Sequence, residues 1–356
     1  MKIKDEQNRY FPRWAKLTVL SSSVLFCALV IVTFLIELGG LHRVDEKCAS
    51  MLGADTDFIW HQGCLVKTPF CQDIFAPTCD CAAIEIKKHN ATTLTNGIAD
   101  LTNLRRISIQ NGPLKRLPTG MEKLRKMTFL DFKFNELEKF NVDISNFNKL
   151  NKLYLDFNKI SSVHSSVWNH ETLTQLWLNS NIGMKFPDDP AKIYLPNVYF
   201  FDVRNNSVAL PSTFGEKQVP NILFLYLNRN DLPNGKFPKS FETLSVTLIE
   251  IGVAETKLES LPNYLETFHN LRYLDARENN LTSIPKGFGR VVEEKKIEFL
   301  ASENEVLCKA EHKYCKPLCS KYCYSVNHKG NNYCDEACNS EACQYDGGDC
   351  RAGPGA

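Results

Sequence analysis

The chain has 356 residues, 43% of them apolar, which is enough for more than one packed domain. Its 42 Lys and Arg are balanced by 41 Asp and Glu. There is thus no basic surplus to hold nucleic acid, and no acidic surplus of the kind that keeps a chain disordered.

The first sixteen residues, MKIKDEQNRYFPRWAK, carry five Lys or Arg against two acids. LTVLSSSVLFCALVIVTFLI follows at 17–36, twenty residues without a charge. As a helix it would span about 30 Å, the thickness of a bilayer's hydrocarbon core. Beyond it come Glu37, Asp45 and Glu46, against Arg43 and Lys47. This asymmetry predicts a cytoplasmic tail at 1–16 and an uncleaved signal anchor at 17–38, with everything later outside. The expected location is the plasma membrane, in the single-pass type II orientation. A cleaved signal peptide is the competing reading, but it needs a shorter apolar core and a clean small-residue cleavage site. A sixteen-residue tail holds no effector, so an inward signal requires a signalling co-receptor.

Of fourteen cysteines, Cys27 lies in the apolar segment, five cluster at 48–81 and eight at 308–350. That distribution suits an oxidising compartment, with both ends of a central domain stapled. The thirteen outside the apolar segment are an odd number, which leaves one thiol over or bridging to another chain; Cys48 is the candidate. Sequons at Asn90, Asn205 and Asn280 fit glycosylation on the same side.

Between the cysteine clusters the template L-x-x-L-x-L-x-x-N recurs. It appears as MTFLDFKFN (127–135), LNKLYLDFN (150–158), LTQLWLNSN (173–181), VYFFDVRNN (198–206), ILFLYLNRN (222–230) and LRYLDAREN (271–279). Degenerate copies are expected at Cys81, Leu104, Leu248 and Ile297, and successive starts are 23 to 26 residues apart. This period and signature resemble the leucine-rich repeat family over 81–307. The resemblance implies an α/β-type solenoid, a curved parallel β-sheet bent into a horseshoe. The first, fourth and sixth positions of each unit, such as Leu150, Leu153 and Leu155, should fill the interior. The ninth-position asparagines are implied to bond backbone groups left open by the turning coil. Pairs such as Leu117-Pro118, Phe237-Pro238, Leu261-Pro262 and Ile284-Pro285 mark the return side, where proline favours a loose or extended convex path.

Residues 39–80 form a juxtamembrane segment and an amino-terminal cysteine cap containing Cys64, Cys71 and Cys79, with Cys81 at the first repeat. At the far end, 308–318 is a second cap stapled by Cys308 and Cys315.

In this fold the third, fifth and seventh positions line the concave sheet. Phe129, Tyr154, Trp177, Phe200 and Tyr226 then lie together as an expected ligand-binding strip, with Lys133, Asp156, Asn179, Arg204, Asn228 and Arg277 around them. The plainer alternative is cross-strand aromatic packing that stiffens the sheet and binds nothing. A glycan on Asn205, at the concave edge, would crowd the strip.

The closing stretch CDEACNSEACQYDGGDC, 334–350, is too poor in apolar residues to make a core. With Cys319 and Cys323 it sets six cysteines at gaps of 3, 10, 3, 4 and 6, before a tail at 351–356. The pattern over 319–350 resembles the Notch-type (LNR) repeat. Spacing alone allows fifteen pairings; the resemblance implies Cys319–Cys343, Cys323–Cys338 and Cys334–Cys350. It also implies Ca²⁺, a hard cation that takes six to eight oxygens. Asp346 and Asp349 bracket a Gly-Gly turn that lets their carboxylates converge. Asn331 matches the family's third side-chain ligand, and Asp335 lies near enough to contribute. A tight turn with two solvated acids and no ion is the alternative.

No H-E-x-x-H, G-x-S-x-G or phosphate-cradling glycine loop occurs, and the eight histidines stand singly. The expectation is a non-enzymatic, membrane-embedded surface protein. Its concave face would bind an extracellular protein, peptide or glycan, with a calcium-dependent module beyond the solenoid. Rival expectations are a secreted inhibitor of extracellular hydrolases and a calcium-dependent homotypic adhesion protein.

Overall fold

The computed structural model describes residues 83–86, 88–94, 96–187, 189–206, 210–309, 313–315 and 338–350. The anchor expected at 17–38 and the cysteine cap before residue 81 lie outside them. No helix among the described residues is long and apolar enough to cross a membrane.

Each repeat offers a strand only three or four residues long, too short to be stable alone. Stacked in parallel, ten of them form one sheet: β1 (Ala83–Ile86), β2 (Arg106–Ile109), β3 (Phe129–Asp131), β5 (Lys152–Tyr154), β7 (Gln175–Trp177), β8 (Phe200–Asp202), β9 (Phe224–Tyr226), β10 (Glu250–Gly252), β11 (Tyr273–Asp275) and β12 (Glu298–Leu300). The register never slips. Phe129 pairs with Lys152, Lys152 with Gln175, and Gln175 with Phe200, so equivalent template positions lie side by side. The segments beginning at 127, 150 and 173 are therefore neighbouring parallel strands, as their spacing predicts. A short parallel pair, β4 (Lys139–Phe140) with β6 (Ser162–Val163), lies outside this sheet.

The core is one continuous cluster along the solenoid. Leu150, Leu153, Leu155, Leu173, Leu176 and Leu178 are all fully buried. Phenylalanines fill the wider space behind them, with Phe201 and Phe214 6.2 Å apart and Phe214 and Phe241 6.4 Å apart.

The asparagine ladder is present. Asn181 Nδ2 donates to the carbonyls of Leu155 in the preceding repeat and Leu178 in its own, at 3.0 and 2.8 Å, while its Oδ1 accepts from Ile160 N at 3.0 Å. Asn158, Asn206 and Asn230 repeat the donor pattern. The residue just before each ladder position has positive φ in nine successive units, from Asn111 (57°) to Glu303 (60°). The chain must turn sharply there to leave the sheet, and left-handed backbone makes that turn.

Two expectations need correction. Glu298 pairs with Tyr273, so the last copy starts at Lys296 and not at Ile297. Its ninth residue is then Asn304, which donates to Ala276 O at 2.9 Å and extends the ladder by one rung. A lysine at the first template position hid this register. The prolines, for their part, do not leave the convex side merely extended. Pro238, Pro262 and Pro285 stand at the N-caps of helical segments Lys239–Leu244, Asn263–Thr267 and Lys286–Lys295. Proline is tolerated there because a helix's first amides have no partner inside it.

The distal edge is closed. Cys308 and Cys315 form the expected disulfide, and Ala301 N, just past β12, donates to Tyr314 O at 2.9 Å. Backbone groups that would otherwise invite a further strand are thereby engaged. Because Cys315 is committed to Cys308, it does not compete for a partner in the 319–350 frame.

Candidate ligand-binding face

The strict register brings the five expected aromatics into one contiguous row. Phe129 meets Tyr154 edge-on at 5.2 Å. Tyr154 and Trp177 are tilted by 54° at 5.3 Å, and Trp177 stacks on Phe200 at 4.4 Å and 13°. Phe200 then meets Tyr226 at 5.5 Å. Phe129 is 8% exposed, whereas the other four are half-buried. The row is thus both cross-strand packing and an accessible apolar strip, since alternate strand residues share one face and rings in adjacent strands touch.

Polar groups fix the ring positions. Tyr154 Oη donates to Gln175 Oε1 at 2.6 Å, and Gln175 Nε2 donates on to Tyr199 Oη at 2.5 Å. Burial, reinforced by the Asp131 charge, pushes the Tyr154 phenol up to about 12. Tyr226 donates to Glu250, and burial with that carboxylate raises it as well. The chain places its own cations at the two ends of the row. The Arg106 guanidinium lies 4.0 Å from the Phe129 ring centre and Arg204 lies 5.1 Å from that of Tyr226.

The acids of this face are buried. Asp131, Asp156, Asp202 and Asp275 are at most 5% exposed. Asp202 is held by the Arg204 guanidinium, with Nη2–Oδ2 at 2.6 Å, and Asp275 by Arg277 at 2.7 Å. Asn179 and Asn228 donate to Asp202 and Asp275 at 3.2 and 3.0 Å. Gln110 donates to Asp131 at 2.5 Å. Asp156 differs: its Oδ1 is buried with no hydrogen-bond partner among the described residues, and desolvation pushes its carboxyl up to about 7. The Trp177 indole N–H is likewise buried, with no partner among the described residues.

Of the sequon residues, Asn90 and Asn280 are exposed. Asn205 is half-buried in left-handed backbone and donates to Ser180 Oγ at 3.3 Å.

At the far end Asp346 is fully buried and Asp349 half-buried. Five consecutive residues, Gln344 to Gly348, have positive φ, and Asp349 N donates to Asp346 O at 3.2 Å. The Asp-Gly-Gly-Asp turn therefore exists, but Asp346 is not a solvated acid. A buried carboxylate must have its charge met by donors or a cation, and oxygen donors on a left-handed turn suit calcium. Cys338, Cys343 and Cys350 are buried and disulfide-bonded. Cys319, Cys323, Cys334, Asn331 and Asp335 lie outside the described residues, and with them the expected pairings and half of the ligand set. Among the described residues no group of three or more His, Cys, Asp or Glu is placed to hold a metal.

Sequence reasoning missed two features. One is His89, which occupies a ladder position and reaches Asn135 Oδ1 at 3.0 Å across the Gly112 unit. The other is a stacked pair, Phe134 and Phe157, with centroids 4.5 Å apart and 42% and 45% exposed. The eighth-position periodicity was the available signal for the pair.

Comparison with known proteins yields two family matches, the Notch LNR domain at residues 311–351 and the leucine-rich repeat at 270–291. A search of curated protein sequences returns no match. Among solved structures, an internalin (InlF) of Listeria monocytogenes is 17% identical, with TM-score 0.47, over 61% of this chain and 65% of that one. A leucine-rich repeat protein of Leptospira interrogans is 20% identical, with TM-score 0.43, over 65% and 70%. A plant peptide hormone receptor, RGFR1 in complex with RGF2, is 20% identical, with TM-score 0.47, over 59% and 37%. The chain thus covers less than two thirds of the first of these structures. The parallel strand ladder has the leucine-rich repeat form, and residues 270–291 and 311–351 are similar to the leucine-rich repeat and to the LNR domain.

Proposed function

We propose that this chain is a cell-surface binding protein. Residues 17–38 anchor it in the type II orientation, and the concave face takes an extracellular protein or peptide. The observation that carries this reading is the unbroken row from Phe129 to Tyr226, four of whose five rings remain accessible. The row presents its rings before a ligand arrives, and aromatic side chains dominate interface energetics. The binding role needs no catalytic group, and any inward signal passes through a co-receptor. The LNR segment is the calcium-dependent part, with Asp346 and Asp349 among its ligands.

The test is recovery of extracellular partners by the full-length chain displayed on cells, after covalent crosslinking. Wild type is compared with Trp177→Ala combined with Tyr154→Ala. We expect partners recovered by the wild type to be lost from the double variant at equal surface expression. Equal recovery by both would remove the concave face from the function.

A further inference from the structure

The middle of the aromatic row differs from its ends in a way that specifies a ligand. Arg106 and Arg204 cover the terminal rings, but among the described residues no cation lies over Tyr154, Trp177 or Phe200. Tyr154 and Trp177 are tilted by 54° with centroids 5.3 Å apart, and the faces of such rings attract positive charge. Asp156 follows two positions after Tyr154 on the same face of the chain and makes no ion pair, whereas Asp202 and Asp275 each hold an arginine. A buried carboxylate oxygen and a buried indole N–H, both without partners, thus occur in adjacent repeats on one face. Native structures rarely leave such groups unmet.

We infer that Tyr154, Trp177 and Asp156 form a subsite for a basic side chain, a lysine ammonium or arginine guanidinium, of a polypeptide lying along the concave face. The inference rests on the proposed binding role of that face and names the chemistry recognised there. The cation sits against the Tyr154 and Trp177 rings with its charge on Asp156, and the ligand's main-chain carbonyl accepts from Trp177 Nε1. Both orphaned atoms are covered, so the ligand reaches them by displacing a ring of the row.

The charges facing Asp156 are Lys133 and Asp131 in the preceding repeat, and Asp202 with its bound Arg204 two repeats on. Of these, Lys133 alone favours the ionised carboxylate directly, and it makes no ion pair with Asp156. A bound cation therefore releases a proton below about pH 7 and holds tighter as the pH rises from about 5.5 to about 8.

The probe is a library of random peptides displayed on phage, panned against the immobilised full-length chain. Wild type, Asp156→Asn and Trp177→Leu are compared, with folding checked by far-UV circular dichroism. We expect wild-type pools enriched in Lys and Arg. Selected peptides should bind either variant about tenfold more weakly. The rise in affinity with pH should vanish in Asp156→Asn, which nearly preserves the side chain's shape. Pools without a basic residue, or binding and pH profiles unchanged in both variants, overturn the subsite while leaving the binding face intact. Recovery of no peptide above background overturns both.

Discussion

At the scale of single residues, the ladder asparagines and Asp156 set opposite signs of stability. Asn181 satisfies two carbonyls and one amide in a fully buried position. Asn181→Ala leaves those groups unpaired, and at about 1–3 kcal/mol per buried orphan the loss should be about 2–4 kcal/mol after relaxation. A urea midpoint within error of wild type would refute the ladder's energetic role. Asp156 behaves in reverse. Burial raises its carboxyl from the unfolded value near 4 to about 7, so the folded state retains a proton that the unfolded chain has lost. That contribution is complete below about pH 4, and it is lost as the pH rises through about 7. It amounts to at most about 4 kcal/mol. Asp156→Asn should therefore gain stability over wild type at pH 8 and little at pH 4. Parallel urea midpoints for the two proteins across that range would show that the carboxyl carries no such cost. The asparagines were legible in the sequence because each stands at a fixed place in its own nine residues. The burial of Asp156 was not, because residues some 23 positions away on either side create it.

At the scale of the repeat, His89 and Gly112 act as one unit. A Cβ on Gly112 would come within 2.3 Å of the His89 ring, which lies where the second repeat's asparagine would be. His89 reaches over the gap to Asn135, and burial lowers its basicity, so the ring works as a neutral hydrogen-bonding group. Gly112→Ala should displace the ring and destabilise the first repeats, whereas the same change in a His89→Ala background should cost much less. A thermal double-mutant cycle measures this, and strict additivity would rule out the substitution of one group for the other. The same repeats show why element boundaries were only partly legible. Apolar periodicity located nine of ten copies, and at Lys296 it slid by one because the first position of that unit is charged. The convex helices were hidden because proline reads equally well as strand breaker or helix cap.

At the scale of the whole molecule, each repeat touches only its neighbours, so stability accumulates along the stack and its ends are the weak points. The distal end has the Cys308–Cys315 staple and the Tyr314 carbonyl. The segment at 338–350 has almost no apolar core beyond its cysteines, so its order must come from bridges and the expected ion. Removing calcium should make cleavage between residues 319 and 350 at least several-fold faster, while the repeats stay resistant. Asp346→Ala should cleave at the fast rate with or without the ion. Mass spectrometry of limited digests locates the cuts, and identical rates with calcium and with chelator would exclude an ion-dependent fold there.

The recurrent left-handed residue has one further consequence. Seven of its nine occurrences are filled by Phe134, Phe157, Ser180, Arg229, Glu255, Glu278 and Glu303, although a left-handed backbone suits glycine or asparagine better. The scaffold thus holds unused stability at sites outside the sheet's rings and buried acids. Asparagines grafted at the bends outside the Phe134–Phe157 stack and the Arg229–Glu255 ion pair would ease those turns of the ribbon, and a protein engineer would gain a hardier frame on which the inner surface could be rewritten.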